Sequence, residues 1–267
     1  MKEYPSYEGL KLDRPDTGVL RVTLSRGKAN AMDYQMHHDL TSIWPLIDQD
    51  PQTSAVILTG AGKLFSAGGD FETEQKMIDD WRYRTTMWKD ARDLVQNLLN
   101  FSKPMISAIN GSASGAGLAA ALLADVAIMG RSAKLVDGHT RLGVAAGDHG
   151  AWLWPLLCGL AKANYYLLTC DPVPAVEAER IGLVALCVDD DQLQAKSLEI
   201  AARLARGAPT ALRFTKHALR GWLRMAWPIF EASLALEMLG FHGDEPREGL
   251  ASLVEKRPPN FDQNSPI

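Results

Sequence analysis

The chain has 267 residues, enough for one large domain or two small ones with a sizeable buried core. Its 46% apolar and 22% charged residues exclude a disordered chain, a collagen-like repeat and a low-complexity scaffold. With 28 basic against 32 acidic side chains the net charge is −4, which argues against a dedicated nucleic-acid binder.

Taken in chain order, Val19–Leu24 alternates as a half-buried strand does, Met36–Ile47 places apolar residues at helical spacing, and Ala55–Thr59 is a continuous apolar run of strand length. The segment Phe65-Ser66-Ala67-Gly68-Gly69-Asp70-Phe71 follows. Its small residues let backbone N–H groups approach a ligand, although a tight turn with Asp70 capping the next helix explains it equally well. Residues 71–100 carry Trp81, Trp88, Leu94 and Leu98 among many charges and read as an amphipathic helical excursion suited to covering a site. Met105–Ile109 is the next strand. The turn Ile109-Asn110-Gly111-Ser112-Ala113-Ser114-Gly115-Ala116-Gly117-Leu118 then opens a helix, whose first N–H groups are free donors at the positive end of its dipole. Close helix packing on Ala and Gly is the competing explanation. Another strand is expected at 125–129, so strand and helix alternate, which indicates an α/β fold with parallel strands and helical crossovers.

From Gln192 the chain reads as helical, and the pair Pro258 and Pro259 stops the last helix. Residues 1–191 are therefore expected to form the core and 192–267 a helical region. Neighbouring His37, His38 and Asp39 point to different faces of their helix and read as solvated surface rather than a metal site. Arg213, His217, Arg220 and Arg224 alternate with Phe214 and Trp222, the pattern of an amphipathic packing or interface helix. Trp152, Trp154, Tyr165 and Tyr166 suit core or pocket walls. Cys158, Cys170 and Cys187 form no CxxC pair and fit a reducing compartment. The N-terminus has no apolar signal core, and 105–129 is broken by Asn110 and Asp125, so a cytoplasmic protein without a membrane partner is expected.

SAGGD, INGSASGAGLA and GDEPREGLASLVEKRPPNF occur in that order, and together they resemble the crotonase, or enoyl-CoA hydratase/isomerase, superfamily across almost the whole chain. The resemblance implies a ClpP/crotonase-like spiral of ββα units with a C-terminal helical trimerisation region, giving a homotrimer or a dimer of trimers. It implies an acyl-CoA substrate, with coenzyme A arriving as part of the substrate and no permanently bound cofactor or metal. It also implies that the N–H groups of Gly69 and Ala116 hold the thioester oxygen, where charge builds as an enolate forms. The coenzyme contacts it implies fall on Arg26, Lys28, Ala31, Ala67, Asp70 and Lys256, although Arg26 and Lys256 also read as ordinary solvated cations.

Two departures bear on the reaction. Hydratases of the superfamily carry one glutamate two residues after the glycine triplet, where this chain has Ala119, and a second where it has His139. In their stead stand His139 and Asp148, nine residues apart, a pair suited to activating water. Asp137 and His149 are alternative partners for His139. The loop around them also resembles that of 6-oxocamphor hydrolase, a superfamily member that cleaves the carbon–carbon bond between two ketones, with a histidine and an aspartate at this spacing. The expected function is acyl-CoA chemistry of the hydratase/isomerase type. Retro-Claisen hydrolysis of a β-diketone or β-ketoacyl-CoA, and acyl-CoA binding without catalysis, are the alternatives.

Overall fold

The computed structural model describes residues 4–264 and 267. Strands β1 (Leu10–Asp16) and β2 (Val19–Leu24) form an antiparallel hairpin whose turn uses Gly18 at φ +76°. The remaining strands are β3 (Ala55–Gly60), β4 (Ser66–Ala67), β5 (Met105–Ile109), β6 (Ala113–Ser114), β7 (Val126–Gly130), β8 (Lys134–Leu135), β9 (Val173–Pro174) and β10 (Leu186–Val188). They make a six-stranded sheet in the order β1-β2-β3-β5-β7-β10, parallel from β2 onward, and a four-stranded sheet in the order β4-β6-β8-β9. Each of β3, β5 and β7 thus runs on into a two-residue strand of the smaller sheet, which repeats the same ββ step down the stack.

The helices are α1 (Tyr34–Asp48), α2 (Phe71–Asp79), α3 (Trp81–Asn100), α4 (Gly115–Leu122), α5 (His139–Leu142), α6 (Gly150–Cys158), α7 (Leu160–Thr169), α8 (Ala175–Arg180), α9 (Leu193–Ala205), α10 (Pro209–Met225), α11 (Trp227–Gly240) and α12 (Glu245–Glu255). Both faces of the large sheet are covered, which explains why β3 is apolar throughout. Val56 and Leu58 join the main core with α1, α3 and α4, while Ala55 and Ile57 point the other way and pack with Leu193, Ile200 and Ala201 of α9. Among the described residues no helix is long and apolar enough to cross a membrane.

One surface reading is corrected, and one amphipathic helix shows which of its faces packs inward. His37 is buried because α3 lies along α1 and supplies Asp90 as its partner, and Asp39 is buried too, so of the three expected surface residues only His38 is exposed. On α10 the amphipathicity is inverted. Lys216 and Arg220 face inward, bonding Asp125 at 2.8 and 2.9 Å, whereas Phe214, Leu219, Trp222 and Met225 are exposed. Asp125 precedes β7 and also accepts from the Met105 N–H, so this partly exposed ion cluster fastens α10 to the sheet.

Candidate active site

The ends of β4 and β6, side by side in the smaller sheet, bring the two glycine-bearing turns together. Gly68 and Gly115 adopt φ +86° and +56°, conformations that strain other residues. The first turn is pinned to the chain before α1, Met32 N–H donating to Gly68 O at 2.8 Å and Asp70 N–H to Met32 O at 3.0 Å. That pairing leaves the intervening Gly69 N–H without a protein acceptor among the described residues. Ala116 lies in the first turn of α4, whose N-cap Ser114 makes no side-chain capping bond, so its N–H is a free donor too.

Both turns open on a cavity of about 450 Å³. Met32, Met77, Met87, Met238, Phe71 and Phe241 make much of its wall, and Ala67, Gly69, Ala116, His139 and Asp148 also line it. The other expected coenzyme contacts lie elsewhere. Asp70 caps α2 by accepting from Thr73 N–H at 2.8 Å, and its second oxygen pairs with Arg26 at 3.1 Å. Arg26 is held further by Asp33 at 3.0 Å and the Ala31 carbonyl at 2.8 Å, so its guanidinium is committed within the protein. Lys28 is exposed, and neither it nor Ala31 lines the cavity. Lys256 ends α12 in a left-handed conformation and lines a neighbouring cavity that shares Arg141 with the first.

His139 opens α5, and the loop to α6 folds back so that four side chains cluster, although His149 Nε2 and Asp137 Oδ2 face each other without a hydrogen bond. His139 Nδ1 lies 3.0 Å from Asp137 Oδ1, and its Nε2 lies 3.4 Å from Asp148 Oδ1. His149 Nδ1 reaches the same Asp148 oxygen at 2.5 Å, and its Nε2 is 3.7 Å from Asp137 Oδ2. Asp137 is therefore the nearer partner of His139, while Asp148 faces both imidazoles. Burial disfavours charge on His139, but Asp137 and Asp148 outweigh it and raise the imidazole well above the usual histidine range. Burial likewise opposes charge on Asp148, yet His149 and His139 hold its carboxyl below the usual range.

Two carboxyls that the motifs did not single out complete the site. Glu237, on α11, places Oε1 3.9 Å from His139 Nε2. Its Oε2 is buried without a partner, in space left by Gly147, where an added Cβ would come within 2.7 Å of it. Burial raises Glu237 well above the ordinary carboxyl range despite the opposing charge of His139. Glu74, on α2, lies against Gly69, where any β-carbon would overlap its Oε1. Burial pushes Glu74 up to about 7, against the attraction of His139. The signal for Glu237 is present in LALEMLGF, a lone acid in an apolar run; Glu74 is one of several acids on a polar helix and gives none. Ala119, on α4, is buried and does not line the cavity.

The donor atoms of His139, Asp148 and Glu237 lie within 4.8 Å of one another, a spacing that suits one water molecule or one cation.

The sequence model of the enoyl-CoA hydratase/isomerase family matches residues 14–264. A probable enoyl-CoA hydratase of Rhodobacter capsulatus is 34% identical, over 91% of this chain and 94% of its own length. Among solved structures, an enoyl-CoA hydratase/isomerase from Mycobacterium paratuberculosis superimposes with a TM-score of 0.88 at 29% identity, over 93% of this chain and all of that one. A β-diketone hydrolase from the cyanobacterium Anabaena, bound to (S)-3-oxocyclohexyl acetic acid, gives 0.82 at 28% identity, over 88% of this chain and 95% of that one.

Proposed function

The chain belongs to the enoyl-CoA hydratase/isomerase family and has its crotonase fold, and on that premise we propose that it adds water to an α,β-unsaturated acyl-CoA with an imidazole in place of the usual carboxylate base. The observation that carries this reading is the convergence of His139 Nε2 and the buried Glu237 carboxyl on one water-sized position beside the two glycine turns.

The thioester oxygen lies between the N–H groups of Gly69 and Ala116. His139, with Nδ1–H held by Asp137, takes a proton from water at Nε2. Hydroxide adds to the β-carbon, the π electrons move to the thioester oxygen, and Glu237 delivers its proton to the α-carbon. Transfer of the proton from His139 to Glu237 restores both groups. Each fixed donor at the oxygen contributes roughly 10²–10³ in rate, because it meets more charge in the enolate than in the substrate.

A second reading uses the same groups. Water activated by His139 attacks one carbonyl of a β-dicarbonyl, the carbon–carbon bond breaks, and Glu237 protonates the carbon of the departing enolate. The similarity to the β-diketone hydrolase supports it. The exposed apolar row on α10 supports assembly as a homotrimer or dimer of trimers, with coenzyme A present only as part of the substrate.

Product analysis in H₂¹⁸O tests the choice, using enoyl-CoA, β-ketoacyl-CoA and cyclic β-diketone substrates. A labelled hydroxyacyl-CoA is the expected product. A labelled carboxylate from a cleaved chain or ring would replace the first reading by the second. No turnover, together with unchanged thioester affinity in His139→Ala, would leave only an acyl-CoA binder.

A further inference from the structure

The cavity wall also carries a histidine that the reaction above does not use. His37 lines the cavity from α1, among Met32, Met87 and Ala91. Its Nδ1 lies 2.5 Å from Oδ2 of Asp90 on α3, the residue between Met87 and Ala91 in the chain. Asp90 also receives His38 Nδ1 at 2.9 Å and the Thr41 hydroxyl at 3.2 Å. Burial opposes charge on Asp90, but the bonds from His37 and His38 hold its carboxyl below the usual range. A carboxylate only accepts, so Nδ1 of His37 carries the proton. That fixes Nε2 as the ring atom left for whatever fills the cavity, and it has no protein partner among the described residues.

We propose that His37 is a specificity-determining residue that recognises an oxygen substituent on the acyl portion of the substrate, away from the reacting carbonyl. This rests on the acyl-CoA reading above. A packing role would need an apolar side chain at this wall, as its neighbours are. A hydrocarbon acyl group would displace water from Nε2 and leave a buried polar atom unpaired. A substituent oxygen meets it in either protonation state: a hydroxyl donates to the neutral ring, and a keto oxygen accepts from the imidazolium.

The test compares dissociation constants, by calorimetry, of cyclohexanecarbonyl-CoA and its ring-keto and ring-hydroxy derivatives. These thioesters are saturated and cannot be hydrated, so the result does not depend on turnover. The native chain is expected to favour at least one oxygenated thioester by about ten- to a hundredfold, the range of one buried hydrogen bond. His37→Leu abolishes the difference, and His37→Gln keeps part of it. His38→Ala, which loosens Asp90 without touching the cavity, retains it. Equal loss of affinity for all ligands in His37→Leu, or no preference in the native chain, overturns the proposal. If no thioester binds, the acyl-CoA reading fails. The same comparison between a cyclic diketone and the matching monoketone then decides the role of His37 by itself.

Discussion

Gly68 and Gly115 meet backbone to backbone: a β-carbon on Gly115 would lie 2.8 Å from the α-carbon of Gly68. The separation of the Gly69 and Ala116 donors is thereby set by van der Waals contact between two main chains. Gly115→Ala adds a side chain at that contact and at φ +56°. The expected result is a folded protein whose kcat falls by about 10²-fold, the effect of misplacing one donor. Steady-state kinetics beside an unfolding curve checks it.

The state of His139 sets the pH profile. Its pKa is raised, so the imidazolium predominates near neutrality and the basic form grows as pH rises. Activity should therefore rise through an apparent pKa above the usual histidine value. Asp148→Asn removes a negative charge 3.4 Å from Nε2, which makes the imidazolium less stable. The ascending limb then moves to lower pH. A limb that stays in place would show that another group is titrating.

Glu74 acts in the opposite direction. With its carboxyl pushed up to about 7, it is neutral on the acid side and becomes an anion against Gly69 as pH rises. An anion there opposes charge on the substrate oxygen. Glu74→Gln stays neutral throughout, so above that pH the variant's activity should keep climbing with the His139 base where the native profile levels off. Superimposable normalised profiles would remove Glu74 from the reaction.

Glu237→Gln keeps the shape of the side chain and loses its proton. The expected loss is about 10²–10⁴ in kcat, with KM little changed, as for removal of a general acid. Single-turnover measurement with saturating substrate separates this from a binding defect.

The water-sized space between His139, Asp148 and Glu237 also makes a prediction about metal. Dialysis against EDTA should leave activity unchanged. A loss that Zn²⁺ or Mg²⁺ restores would reassign these three groups as ligands.

Much of the frame was legible in the sequence. Val19–Leu24 and Met105–Ile109 are strands with the expected bounds, because apolar patterning reports burial directly. The strand expected at 125–129 runs Val126–Gly130, since Asp125 turns away to pair with Lys216 and Arg220. Sequence motifs also drew attention to the two glycine turns and the His139 loop. What the sequence concealed depends on contacts between distant segments. His37 looked solvated until Asp90, 53 residues away, was placed against it. Glu237 reaches His139 only because α11 packs beside α6, a relationship that no local spacing encodes.

The cavity's methionines affect how the protein discriminates among substrates and how it ages. Met32, Met77, Met87 and Met238 present unbranched, polarizable thioethers that reshape around differently branched guests. Steric sieving by such a lining is weak, so discrimination falls to the few fixed polar points. The same sulfurs can be oxidised only by an oxidant small enough to enter the cavity, because Met32, Met77 and Met87 are buried. Conversion to sulfoxides would make this pliant hydrocarbon lining polar while leaving His139 and Glu237 chemically intact, so oxidative damage would appear first as lost affinity for the guest.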